Sequence, residues 1–73
     1  MKYYVQRKLD GIWTLMPASY KYAVKALSAR DRFKAEHPES EIRVVDQDGR
    51  IIDYADATIR FREHANGLIE RMV

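Results

Sequence analysis

Trp13, with Lys2, Tyr4 and Lys8 carried alongside it by a turn at Asp10-Gly11, is the group of side chains in this sequence best suited to chemistry. That chemistry is adhesion. Aromatic rings interleaved with cations on a sheet face can stack bases and hold phosphates, at about 1–3 kcal/mol per stacked base. The same residue types also serve as anchors in protein interfaces. The competing reading makes Trp13 a core residue whose indole nitrogen finds one partner, since Trp usually buries most of its area. No glycine-aromatic RNP pattern separates the two readings. A second cationic set lies on a predicted helix. Lys21, Lys25 and Arg32 share one side of it, and Arg30 and Lys34 flank another. This set could track a phosphate backbone or form a solvated face, and no helix-turn-helix pattern accompanies it.

Other chemistries find less support. Asp46-x-Asp48-Gly49 resembles the start of a calcium loop, but no glutamate arrives at the twelfth position, and a hairpin turn explains the same residues better. His37 and His64 have no second His, Cys or carboxylate at a spacing that indicates a metal site; His37 suits a helix C-terminus, where a cation is favoured. Ser19, Ser28 and Ser40 read as cap or loop residues outside any G-x-S-x-G elbow. Gly11, Gly49 and Gly67 are too scattered to form a phosphate loop. The carboxylates from Glu36 to Asp56 are spread over a helix end, a loop and a hairpin, so they form no acid-base dyad. The sequence therefore predicts no enzyme, no cofactor and no metal.

Charge placement points the same way. Residues 1–35 carry eight Lys and Arg against Asp10 and Asp31, whereas residues 36–56 carry Arg43 and Arg50 against seven carboxylates. A dipolar distribution of this kind steers charged partners even though the formal net charge is only +2. Seventy-three residues make one domain, near the size at which a single core supplies only about 3–5 kcal/mol. Without cysteine, neither a disulfide nor a thiolate-bound metal can staple it, and self-association becomes a route to a larger core. No apolar run approaches the roughly 20 residues that span a bilayer. The expectation is a soluble, cytoplasmic protein that folds, with 47% hydrophobic residues to bury.

These side chains need elements to position them. Asp10-Gly11 joins Lys2–Leu9 to Ile12–Met16, and Asp48-Gly49 joins Ile42–Gln47 to Arg50–Tyr54; each reads as a β-hairpin closed by a two-residue type I′ turn. Pro17 is expected to end the second strand. Between the hairpins, Ser19–His37 reads as a helix with Ser19 as N-cap, a face of Tyr22, Ala23, Ala26, Ala29 and Phe33, and His37-Pro38 as its end. A competing pattern has Tyr20, Tyr22, Val24 and Ala26 alternating as a strand, before a shorter helix capped by Ser28. A tail helix from Asp56 carries Thr58, Phe61, Ala65, Leu68 and Met72, and Asn66-Gly67 either caps or interrupts it. The fold class is thus α+β: an antiparallel sheet from two hairpins (ββαββ), a central helix and a C-terminal helix.

Register arithmetic divides the side chains by face. In the first hairpin, Tyr3, Val5, Leu9, Ile12 and Met16 form the core face, unless a bulge exchanges part of it, and Lys2, Tyr4, Gln6, Lys8, Trp13 and Leu15 the other. In the second, a two-residue turn puts Val45, Ile52 and Tyr54 on one face and Ile42, Val44 and Ile51 on the opposite one. Both of its faces are partly apolar and want cover. One helix shields one face, so the tail helix or a second copy must shield the other. This argues for a helix-sheet-helix sandwich or a homodimer, with Phe61, Ala65, Leu68 and Met72 as the seam.

The tryptophan strand, the proline, the cationic helix ending in His37-Pro38 and the segment Ile42-Arg43-Val44-Val45-Asp46 with Asp48-Gly49 resemble small accessory proteins of phages and prophages. The likeness spans residues 12–53 and is one of pattern. It implies a hairpin, helix and hairpin, and a protein that binds and inhibits a host factor, as anti-CRISPR and other counter-defence proteins of this size do. That group shares no common fold, so no functional residue carries over. The expected function is a non-catalytic protein-interaction module, an inhibitor of a host nucleic-acid-processing complex, contacting it through Lys2, Tyr4, Lys8, Trp13, Lys21, Lys25 and Arg32. Direct nucleic-acid binding through the same surface is the alternative, and a structural assembly subunit the third.

Overall fold

Both central residues of the first turn lie at positive φ, Asp10 at 50° and Gly11 at 79°. This is the type I′ geometry that matches the twist of the flanking strands. In the computed structural model, which describes residues 1–59, the turn joins β1 (Tyr3–Leu9) to β2 (Ile12–Tyr20). Leu9 pairs with Ile12, Lys8 with Trp13 and Gln6 with Leu15, as the two-residue turn dictates. Beyond Gln6 the register shifts, and Tyr4 pairs with Ser19 and Tyr3 with Tyr20. Met16, Pro17 and Ala18 therefore oppose Val5 alone, in place of the expected Val5–Met16 pair. Two surplus residues preserve the alternation of faces on either side of the bulge. Pro17 does not end β2. The strand lies at the edge of the sheet and Pro17 falls in the bulged stretch without a register partner on β1, so its missing N–H breaks no ladder bond and the chain runs on to Tyr20.

That longer strand sets the start of α1 (Ala23–Glu36). Ser19 and Tyr20 are held in the ladder by Tyr4 and Tyr3, so Ser19 is not an N-cap. Tyr22 occupies the cap position with extended backbone and no side-chain cap bond. Its carbonyl accepts from the N–H groups of Lys25 and Ala26. At the other end His37 is the C-cap, its N–H donating to the Phe33 carbonyl at 2.8 Å. The Lys34 ammonium donates to the carbonyl oxygens of Pro38 and Ser40 and anchors the loop that follows.

The second hairpin differs from its expected register by one residue. Val44 pairs with Ile52 and Val45 with Ile51 across β3 (Ile42–Asp46) and β4 (Ile51–Ile52). The Asp46 carboxylate accepts from the N–H groups of Asp48 at 2.9 Å and Arg50 at 3.0 Å, and its carbonyl accepts from Gly49. Only Gly49, at φ 82°, is left-handed here. This is a three-residue loop over 47–49, not a two-residue turn. Because strand side chains alternate, the slip exchanges Ile51 and Ile52 between faces. Ile42, Val44 and Ile52 consequently share one face, while Val45 and Ile51 share the other.

The two hairpins join through antiparallel pairing of β1 with β3, so that Val5 meets Val44 and Gln6 meets Arg43. The sheet order is β2-β1-β3-β4. β2 and β3 run parallel with β1 between them, linked by α1 in a split β-α-β arrangement. The helix covers the face bearing Tyr3, Val5, Val44 and Ile52, against which it packs Ala23, Ala26, Leu27 and Ala29. Its small alanines let helix and sheet approach closely. Full burial of Val5, Leu27 and Val44 contributes about 1.5–3 kcal/mol each. Leu9 and Ile12, expected in this core, are 44% and 68% exposed, because the hairpin tip lies at the far end of the strands from the buried cluster at Tyr3 and Val5.

Residues 54–59 are helical and begin two residues earlier than Asp56. Asp53 and Asp56 cap each other: the Asp56 N–H donates to the Asp53 carboxylate at 2.9 Å, and the Asp53 N–H to that of Asp56 at 3.0 Å. Tyr54 therefore belongs to this helix, not to a strand face. Ala57 joins the same core as α1, so this helix starts on the side of the sheet that α1 already covers. Over the described residues, a helix-sheet-helix sandwich is not formed. Phe61, Ala65, Leu68 and Met72, with Asn66-Gly67 and His64, lie outside the described residues.

Candidate functional site

The face of the sheet opposite α1, helix-free among the described residues, is built by the register of three strands. β1 contributes Tyr4, Gln6 and Lys8, β2 contributes Trp13 and Leu15, and β3 contributes Arg43 and Val45. β4 adds Ile51 opposite Val45. Lys2, just before β1, continues the same alternation, and its backbone N–H donates to the Gln47 side chain.

Arg43 is the organising residue here. Its guanidinium lies over the Trp13 ring, 3.9 Å from the centroid, within the range of a strong cation–π contact. Its Nε donates to Gln6 Oε1 at 2.8 Å. The Lys8 ammonium stands 5.8 Å from the same ring and pairs with Glu41 at 3.3 Å. Trp13 is thus half-buried beneath cations and lies outside the hydrophobic core cluster. On the same face Leu15, near Trp13 on β2, and Ile51, at the opposite edge on β4, are 57% and 61% exposed. Apolar and cationic groups alternate over one surface.

The expected contact residues divide between two sides of the molecule. Lys2, Tyr4, Lys8 and Trp13 share the open sheet face. Lys25 and Arg32 lie on α1, which covers the opposite face, and point away from its buried side of Ala23, Ala26, Leu27 and Ala29. Lys21, expected on the helix, falls just before it in the bend after β2. All three are exposed, and Lys21 sits 5.9 Å from the Tyr22 ring. Arg30 and Lys34 are engaged within the fold: Arg30 binds Asp31 at 2.9 Å and stacks 5.5 Å from the Tyr54 ring, while Lys34 holds its loop carbonyls. No single surface unites the cationic helix with the aromatic hairpin.

Two participants are missing from the contact set that the sequence suggests. Arg43 counts there only as a counter-charge within an acidic segment, although its position in an Ile-Arg-Val-Val alternation marks it as facing away from the Val44 core. Ile51 falls on the same face as Val44 if the turn has two residues. The doubled Asp46-x-Asp48 is the available signal for the longer loop, because an Asp side chain readily binds N–H groups two residues on.

Outside this face, the Asp31 carboxylate accepts hydrogen bonds from the Tyr54 hydroxyl and from Arg30 Nε and Nη2. The Tyr54 bond, then Arg30, hold Asp31 below the usual carboxylate range, and the same bond raises Tyr54 above the usual phenol range. Helix capping by the Asp56 N–H lowers Asp53. Among the described residues no cluster of three or more His, Asp or Glu could hold a metal, and no helix is long and apolar enough to cross a membrane. No family model, no curated protein and no solved structure matches this chain. What its surface can do must be read from the surface's own chemistry.

Proposed function

We propose that this protein is a non-catalytic protein-interaction module whose contact surface is the helix-free sheet face. The observation that carries the reading is the Arg43–Trp13 stack on a face that also exposes Leu15 and Ile51. An aromatic and an arginine held rigid among aliphatic side chains is the composition of an interface centre. Nucleic-acid binding is less well supported by the same face. Trp13 already carries a guanidinium on its ring, which leaves Tyr4 as the one other ring among the described residues of this face, and the most exposed groups there, Leu15 and Ile51, are aliphatic. The resemblance of residues 12–53 to phage accessory proteins fits an inhibitor that covers a surface of a host nucleic-acid-processing protein.

The test is affinity capture with the full chain from nuclease-treated lysate, with the retained protein identified and its complex reconstituted from pure components. A stoichiometric complex that Leu15→Asp dissociates supports the module. A partner that disappears on nuclease treatment, or one that binds Leu15→Asp as well as it binds the native chain, would refute it.

A further inference from the structure

We infer that the occupant of the helix-free face is an extended acidic segment of a partner protein, carrying carboxylates for Arg43 and Lys2 and aliphatic side chains for Leu15 and Ile51. This rests on the face being an interaction surface and adds the chemistry of what it takes. Three cations, Lys2, Lys8 and Arg43, stand on the face, and the one carboxylate ion-paired with any of them among the described residues is Glu41, bound to Lys8 at 3.3 Å. Other carboxylates of the acidic half are engaged in the fold: Asp46 in its own loop, Asp53 and Asp56 in mutual capping. Arg43 and Lys2 are thus left without a carboxylate among the described residues.

Arg43 is also ordered in advance. The Trp13 ring fixes the plane of its guanidinium and Gln6 holds Nε. Its two terminal nitrogens have no hydrogen-bond partner among the described residues. A planar fork fixed at its base matches a carboxylate bidentately, with little further entropy to lose. Leu15, Gln6 and Arg43 lie in one cross-strand row, but the Arg43 guanidinium reaches across to Trp13, two residues before Leu15 on the same face of β2, so the exposed aliphatic site and the fork are neighbours, roughly 7 Å apart. About two residues of extended peptide span that distance. Phosphates would satisfy the fork equally well, but they supply nothing for Leu15 and Ile51.

The test is selection of random dodecapeptides on the full chain at low salt, followed by titration of the best binder against Trp13 fluorescence. Enrichment of Asp or Glu about two residues from Leu, Ile or Val is expected. Binding should fall about tenfold or more in Arg43→Gln, as loss of a charged hydrogen-bonded pair implies, and should weaken in Lys2→Glu. Arg43→Lys should recover only part of it. High salt should weaken native binding too, which keeps the test independent of how well Arg43→Gln folds. Non-acidic binders that Leu15→Asp abolishes would overturn the acidic occupant and leave the module standing. Acidic binders indifferent to Arg43→Gln and Lys2→Glu would overturn it likewise. An empty selection together with saturable quenching by mixed-sequence RNA or DNA would overturn both.

Discussion

At the scale of single residues, the contact between Tyr54 and Asp31 links α1 to the helix that starts at residue 54, and it titrates from both sides. Asp31 is lowered by the Tyr54 hydroxyl and then by Arg30, so its contribution to stability is present above the unfolded carboxylate value, about 4, and is lost as pH falls through the lower folded value. Tyr54 is raised by the same bond. Its contribution is therefore complete below the unfolded phenol value, near 10, and is lost as pH rises through the higher folded one. Thermal unfolding followed against pH should accordingly show an alkaline decline that Tyr54→Phe flattens, and an acid decline that Asp31→Asn reduces. An unchanged alkaline limb in Tyr54→Phe would show that the bond does not form. Asp46 carries a prediction that needs no titration. It is 2% exposed and accepts two N–H groups of its own loop, so Asp46→Ala strands them and should cost about 1–3 kcal/mol in denaturant unfolding. Asp46→Asn, which keeps an acceptor oxygen, should cost less.

At the scale of elements, the two hairpins show what local sequence can and cannot specify. A methyl group at Gly49 would meet only open space, but the residue sits at φ 82°, so Gly49→Ala tests backbone strain alone. It should cost about 1 kcal/mol, with Gly49→Asn costing less; equal stability of all three would argue against a left-handed loop. The first hairpin is legible down to the pairs nearest its turn, because Asp10-Gly11 has no competing acceptor nearby and the strands alternate cleanly on either side. The second is not. Asp48-Gly49 offers the same turn, but the Asp46 carboxylate two residues earlier captures the loop amides and adds one residue to it. One residue is enough to exchange Ile51 with Ile52. For α1, the end at His37-Pro38 is plain, whereas the start is decided by a ladder between Tyr3, Tyr4 and the residues after Pro17, a contact distant in sequence that local periodicity does not reveal. A helix propensity for residues 19–22 yields to paired strand, as tertiary context allows.

At the scale of the whole molecule, the question is which side meets a partner. The sequence groups eight cations in its first half, but the fold sends Lys25 and Arg32 to the outside of α1, with Lys21 just before it, and Lys2 and Lys8 to the far side of the sheet. A helix layer and a sheet, each with packed side chains, separate the two sets by more than the Debye length of about 8 Å at physiological salt. The two sets then act independently, and a partner bound to one side feels little of the other. Lys25→Glu combined with Arg32→Glu should leave affinity for a partner of the sheet face within about twofold at physiological salt, with a small loss of association rate at low salt. Leu15→Asp combined with Ile51→Asp should abolish that affinity. Both side chains are more than half exposed, so that variant should unfold within about 1 kcal/mol of the native chain. The pair of variants separates recognition from folding: equal melting with opposite effects on binding assigns the contact to the sheet. Loss of binding in the helix variant alone would move the site to α1, where the exposed cations stand beside the exposed Tyr22 and Val24.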